Sequence, residues 1–185
     1  DYLGNNYIYD EYSTAVYGIM MNTEKSIFKS DKLRYALLFA SDKSSLSLPF
    51  GYSAADGIVA PSVKNSFGSY RDMAGSRTTV KPDEVKAYSS YQSACENIDK
   101  ADLHSVNILA VQNRDEEIGE SLSGILQQWQ AKLGFYCSIS YVSESEYEEK
   151  ISGGDYTLAL TRINGEYNRP EAYLGMFTSG GYKFS

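Results

Sequence analysis

Residues 106–160 read VNILAVQNRDEEIGESLSGILQQWQAKLGFYCSISYVSESEYEEKISGGDYTLAL, and their hydrophobic pattern decides the fold. VNILAV, at 106–111, is a short apolar run suited to a buried strand. After it, Ile118, Leu122, Ile125, Leu126, Trp129 and Leu133 recur at helical spacing and place one apolar face on a long helix. Asn113 and Glu116 stand three apart, the spacing of a capping-box variant, and Gly134 sits where a left-handed C-terminal cap is expected. Residues 136–142 then alternate Cys137, Ile139 and Tyr141 with Ser138 and Ser140, a strand pattern. Ser143 and Glu146 form a capping box for a short helix closed by Gly153 and Gly154, and YTLAL at 156–160 is a third strand. Strand, helix, strand, helix, strand in succession predicts right-handed crossovers and a largely parallel sheet covered by helices. Ligands of such sheets lie beyond the carboxyl ends of the strands, here near Gln112, Ser143 and Arg162.

Outward from this segment the pattern is thinner. Residues 1–14 are polar and aromatic without period and read as an irregular lead-in; 15–22 (AVYGIMMN) suit a buried strand. Ser30 caps a predicted helix with Leu33, Ala36, Leu37 and Ala40 on its buried face. Residues 50–82 are rich in Gly, Ser and Pro and form either an ordered loop or a set of turns. Pro82, Asp83 and Glu84 open another helix, whose predicted buried stripe is Val85, Tyr88, Tyr91, Cys95 and Ile98. Pro170 starts a last one.

With 185 residues the chain has room for one domain or two small ones, and its 42% hydrophobic and 22% charged residues argue against disorder. The longest apolar run, 35–40, is far too short to cross a bilayer. Seventeen basic against 24 acidic residues leave a net charge of −7, which repels phosphate backbones and makes nucleic acid a poor partner. Both ends are abrupt, the expectation for a piece of a longer, processed protein.

Reaction chemistry finds little material. His104 is the one histidine, no Gly-x-Ser-x-Gly elbow is present, and neither Cys95 nor Cys137 stands in a catalytic context, so no catalytic residue is expected. The Gly pairs at 153–154 and 180–181 lack a phosphate-loop context and read as turns. Glu144, Glu146, Glu148 and Glu149 read as a solvated acidic face rather than a calcium site, and the cysteines as buried free thiols. Neither cofactor nor metal is implied. Binding remains. Ile163, Asn164, Gly165, Glu166, Tyr167 and Asn168 follow a buried strand at the edge of the crevice. An extended ligand could pair with that backbone while Glu166 held a cationic amine; an ordinary loop with a solvated glutamate is the alternative.

YGIMMNTEKSIFKSDKLRYALLFASDK, at 17–43, resembles the signature of the family 5 extracellular solute-binding proteins, the peptide-, dipeptide- and nickel-type receptors of ABC importers. Asn22, Phe28, Arg34, Ala36, Ala40, Asp42 and Lys43 carry the match, with Pro61 resembling a later loop proline. DYTL at 155–158 through YNRP at 167–170 is similar to the family's segment ending in Trp-x-x-Asp-Tyr-x-x-Pro. The resemblance implies an α/β fold of the type II periplasmic-binding-protein kind, a single lobe with a mostly parallel central sheet and helices on both faces. That lobe would be the second of two, spanning 1–185 with 1–14 arriving from the hinge. It further implies closure over a small solute, an oligopeptide foremost, and delivery to a membrane permease. The setting implied is extracellular or periplasmic, with a lipoprotein anchor. By position Glu166 stands for the acid that holds a peptide's α-amino group, and Ile163 stands where the family has Trp. Asn164 and Gly165 lie between them, Glu144 falls near another pocket position, and Tyr17 lies on the strand from the hinge. The alternative from another class is a Tyr-rich surface module for carbohydrate or protein, using Tyr2, Tyr7, Tyr9 and Tyr12.

Overall fold

The computed structural model describes residues 15–25, 27–74 and 80–178. The lead-in at 1–14, with Tyr2, Tyr7, Tyr9 and Tyr12, and the Gly pair at 180–181 lie outside the described residues. Strand β1 (Ala15–Met21) leads to helix α1 (Asp31–Ala40), a small hairpin of β2 (Lys64–Asn65) and β3 (Gly68–Ser69), and the short α2 (Tyr70–Ala74). Helices α3 (Glu84–Cys95) and α4 (Lys100–Leu103) precede the alternating half. That half comprises β4 (Val106–Val111), α5 (Glu116–Leu133), β5 (Cys137–Val142), α6 (Glu144–Ser152), β6 (Leu158–Asn164) and the one-turn α7 (Glu171–Leu174).

The main sheet has the order β1-β6-β4-β5, with β4 parallel to both β5 and β6 and β1 antiparallel on the edge. The expected mostly parallel α/β sheet is present, and β1 is its antiparallel addition. Alternation along the strands separates two faces. Val106, Ile108, Ala110, Leu158 and Leu160 point into the larger core with Leu33, Leu37 and Phe28 from the α1 region and Ile118, Ile125 and Trp129 from α5. On the opposite face, Val16 and Ile163 join Val59, Ala60, Val63 and Tyr173 in a second cluster. Helix α6 also lies there, its Tyr147 Oη donating to the Leu160 carbonyl at 3.0 Å.

The residues that carried the family resemblance turn out to build the frame. Asn22 donates from Nδ2 to the carbonyls of Gly154 (3.1 Å) and Tyr156 (3.0 Å) and accepts from the Glu24 amide (3.0 Å), fastening the end of β1 to the approach of β6. Arg34 Nη1 donates to the Phe28 carbonyl at 2.5 Å, and Lys43 Nζ donates to that of Ala55. The C-terminal carbonyls of α1, which the helix itself leaves unsatisfied, are met by α5. Trp129 Nε1 donates to Leu37 O at 3.1 Å, and Lys132 Nζ to Ala40 O at 3.0 Å.

Ser30, Asp83 and Ser143 cap α1, α3 and α6 by accepting backbone amides, and Gly134 ends α5 at φ 67°. Four expectations need correction. The buried face of α3 centres on Ala87 and Ala94, whereas Val85 and Tyr88 are 80% and 53% exposed. Small alanines let the neighbouring helix approach, so Val85 and Tyr88 are left outside, while Tyr91, Cys95 and Ile98 of the expected stripe do pack against the core. The N-cap of α5 is Asp115 rather than Asn113; Asn113 instead adopts a left-handed φ of 63°. Tyr141, expected among the apolar residues of its strand, is exposed. Strand β6 begins and ends later than 156–160, so Ile163 and Asn164 belong to it and the loop starts at Gly165. The two cysteines are free and half-buried.

Candidate functional site

Helix α5 connects β4 to β5 across one face of the sheet, and α6 connects β5 to β6 across the other. The first crossover steps from β4 out to β5 and the second steps back over β4 to β6 on the opposite face, so the two share one hand. The loops after β4 and β6 consequently part, and the sheet opens a crevice at their carboxyl ends. The ladder between β4 and β6 registers Ile108 with Leu158 and Leu109 with Ala159 and goes no further. β6 continues for five residues more, paired on its other side with β1, where Asn164 meets Ala15.

Two groups of side chains gather at that end. The first begins in the β4–α5 loop, where Arg114 N donates to Gln112 O at 2.7 Å in a tight turn around left-handed Asn113. Asparagine tolerates that conformation better than most residues. Buried Asp115 accepts the Val111 amide at 2.8 Å and grips Arg114 at 3.0 and 3.1 Å. Arg114 also bonds Glu144 at the start of α6, 2.9 Å away, and lies 5.5 Å from the centre of the Tyr147 ring. Its bonds to Asp115 hold the guanidinium's pKa above the ordinary value, desolvation opposing them. Beside it, the Arg162 guanidinium rests 5.9 Å from the Tyr17 ring centre, and Tyr17 tilts against Tyr52 at 6.3 Å. Burial pushes the Tyr17 hydroxyl above its usual pKa, with Arg162 pulling the other way.

The second group surrounds a cavity of about 370 Å³ lined by Ser62, Val63, Lys64, Gly165, Glu166, Tyr167, Asn168 and Tyr173. Asn168 holds its two walls together: Oδ1 accepts the Lys64 amide and Nδ2 donates to the Lys64 carbonyl, both at 3.2 Å. Tyr173 is buried beneath, so close to Gly165 that a Cβ there would stand 2.3 Å from the ring.

Of the six residues singled out in the sequence, Glu166 and Gly165 line this cavity, and Glu166 is exposed at its rim. Asn164 is an exposed strand end. Ile163 is 6% exposed and packs in the second apolar cluster, on the face opposite Arg162. Tyr17 and Glu144 belong to the first group, each beside an arginine. Sequence reasoning missed Arg114, Asp115, Tyr147 and Tyr173, and it named Arg162 at the strand end and Asn168 in the loop without giving either a role. A signal existed for Arg114 and Asp115, which follow a strand directly; Asn168 meets Lys64 across 104 positions and left none. Among the described residues no group of three or more His, Cys, Asp or Glu could hold a metal ion. No helix there is long and apolar enough to cross a membrane.

Comparison with known proteins bears on the fold. The fold is similar to that of the pheromone receptor PrgZ, in a structure describing its mode of peptide binding (TM-score 0.74, 21% identity, 93% of this chain and 36% of that one). It is similar as well to the substrate-binding domain of an oligopeptide ABC transporter from Bacillus anthracis str. Ames (0.71, 22%, 91% and 34%). A third likeness is to OppA of Listeria monocytogenes bound to peptide (0.71, 17%, 91% and 34%). The chain thus spans about a third of each of these structures. No curated protein matches its sequence. The α/β fold, with its mostly parallel sheet and helices, is that of type II periplasmic-binding-protein-like structures. Residues 2–185 match the middle region of the bacterial extracellular solute-binding proteins, family 5, and the chain belongs to that family.

Proposed function

We propose that residues 1–185 form one lobe of a two-lobe receptor that captures an extended solute, foremost an oligopeptide, and delivers it to the permease of an ABC importer. The other lobe comes from the rest of a longer protein, held outside the cytoplasmic membrane by a lipoprotein anchor. The role is binding, without a reaction centre. The observation that carries the reading is the five-residue run of β6 past its last partner on β4, with Glu166 just beyond it. A peptide laid along that edge gains main-chain hydrogen bonds, and its α-amino group meets a carboxylate. The fold shared with the oligopeptide receptors and the family membership support the same reading.

Half a cleft orders a flexible ligand without enclosing it, so the ordering cost is not recovered. Calorimetry on the full-length receptor should therefore give saturable binding of a free-amine tetrapeptide and none of its N-acetyl form. The isolated lobe should show no heat with either. Micromolar affinity of the lobe alone would overturn the half-cleft reading, and equal binding of the acetylated peptide would remove the amine from it.

A further inference from the structure

We infer that the free edge of β5 is a surface for a second copy of this chain. Cys137–Val142 pairs antiparallel with its own counterpart about a two-fold axis perpendicular to the sheet, joining two four-stranded sheets into one. The surface lies away from the proposed ligand cleft and does not depend on the peptide-receptor reading.

β5 is bonded on one side only, to β4, in an unbroken parallel register from Cys137 opposite Val106 to Val142 opposite Val111. Along a strand the N–H and C=O of one residue point to one side and those of the next to the other. The Val142 carbonyl accepts the Gln112 amide at 2.9 Å, so the even-numbered residues of β5 turn toward β4. The N–H and C=O groups of Cys137, Ile139 and Tyr141 therefore line the open edge, and among the described residues none of them has a main-chain partner. Nothing in the strand guards that edge. Exposed edges are kept from pairing by Lys, Pro, a bulge or an inward charge. The strand CSISYV has none of these and is uncharged in a chain that is 22% charged. None of its residues is buried, unlike those of β4 and β6.

The occupant is a second copy because the strand is complementary to itself. Turning it about Ile139 sets Ile139 opposite Ile139 and Cys137 opposite Tyr141, and every open N–H and C=O then finds a partner. The same turn matches the faces. Cys137, Ile139 and Tyr141, on the α5 side of the sheet, meet only one another, and on the α6 side Ser138 meets Ser140. Tyr141 rests on Gly119 in the first turn of α5, beside Glu116 and Glu117. Antiparallel pairing keeps the acids of the two copies at opposite ends of the seam, where parallel pairing would set them side by side. A seam one strand wide is a small interface, so a dissociation constant on the order of 10 µM is expected.

The test is sedimentation velocity of the full-length protein from about 1 to 500 µM, a range in which the wild type should pass from monomer to dimer. Tyr141→Pro removes an edge N–H and leaves the ladder to β4 intact. The double variant Ser138→Lys/Ser140→Lys sets lysine opposite lysine at two points of the seam and serves should the proline variant fail to fold. Each should weaken the dimer by at least about tenfold. Oxidative cross-linking reads the register. Across the seam Ser138 of one copy and Ser140 of the other form a pair without main-chain bonds, about 4.5 Å apart at Cα, within disulfide reach. Like positions of the two copies stand diagonally, about 7–8 Å apart, and are not. A mixture of Ser138→Cys and Ser140→Cys proteins should therefore cross-link at least about tenfold faster than either alone. A monomer at every concentration would overturn the proposal, and it is the result expected if the edge instead receives an extended segment of another protein. A dimer that both edge variants leave unchanged would overturn it as well, as would cross-linking no faster in the mixture.

Discussion

Asp115 holds Arg114 by two bonds of 3.0 and 3.1 Å, from a carboxylate that is itself 1% exposed. The same carboxylate accepts the amide of Val111, so one buried acid closes the end of β4 and aims the arginine at Glu144. Backbone held in a sparsely populated conformation, as at Asn113, persists only where such neighbours over-determine it.

Replacing Asp115 with Ala therefore removes three acceptor contacts at once and leaves the Val111 amide without a partner. We expect a loss of about 2 kcal/mol, since Arg114 is partly solvated and keeps Glu144. Denaturant unfolding of the full-length receptor, followed through the transition of this lobe, measures it. A change below about 0.5 kcal/mol would show that the clamp is dispensable.

Asn22 makes a sharper test, because it both donates and accepts. Asn22→Ala should cost about 2–3 kcal/mol for its three bonds. Asn22→Asp should cost at least as much despite near-identical shape, because a carboxylate oxygen would face the carbonyls of Gly154 and Tyr156. If the Asp variant proves as stable as wild type, the side chain is not oriented as described.

Burial pushes the Cys137 thiol up to about 12 from an ordinary value of 9.0. Since the thiolate is the nucleophile, alkylation at pH 8 should be at least about a hundredfold slower at Cys137 than for an unburied thiol. The stability consequence has a definite sign. A folded-state pKa above the unfolded one contributes stability that is complete below pH 9 and lost as pH rises toward 12. Tyr91, raised by burial to about 12 from 10.0, acts in the same direction. Unfolding midpoints should fall across that alkaline window. Rapid alkylation of Cys137 at pH 8 in the folded protein would contradict the burial that causes the shift.

Glu166→Gln keeps the shape of the cavity rim and removes its charge. In the full-length receptor it should weaken free-amine peptides by about 10- to 100-fold, the range of a charge-assisted hydrogen bond, once closure excludes water. N-acetylated peptides should bind neither the variant nor the wild type. Unchanged affinity for the free amine would place the amine elsewhere.

The periodicities of 106–160 were enough to determine three strands, two crossing helices and hence a parallel sheet, because hydrophobic spacing is a local property that the chain carries wherever it folds. Caps at Ser30, Ser143 and Gly134 were legible for the same reason, whereas Asp83, read as an acid of the first turn, is the N-cap of α3. The start of α3 was not: Tyr91 and Cys95 pack inward as their spacing suggests, but Val85 and Tyr88 are displaced by Ala87, and only the approach of α1 chooses between them. Nor could the sequence order the strands, set β1 antiparallel on the edge, or extend β6 beyond its partner, since these depend on pairing between distant segments. The candidate site divides along the same line. Glu166 was readable from its place after a strand, whereas the meeting of Arg114 with Glu144 and of Asn168 with Lys64 exists only once the sheet has brought their loops to one end.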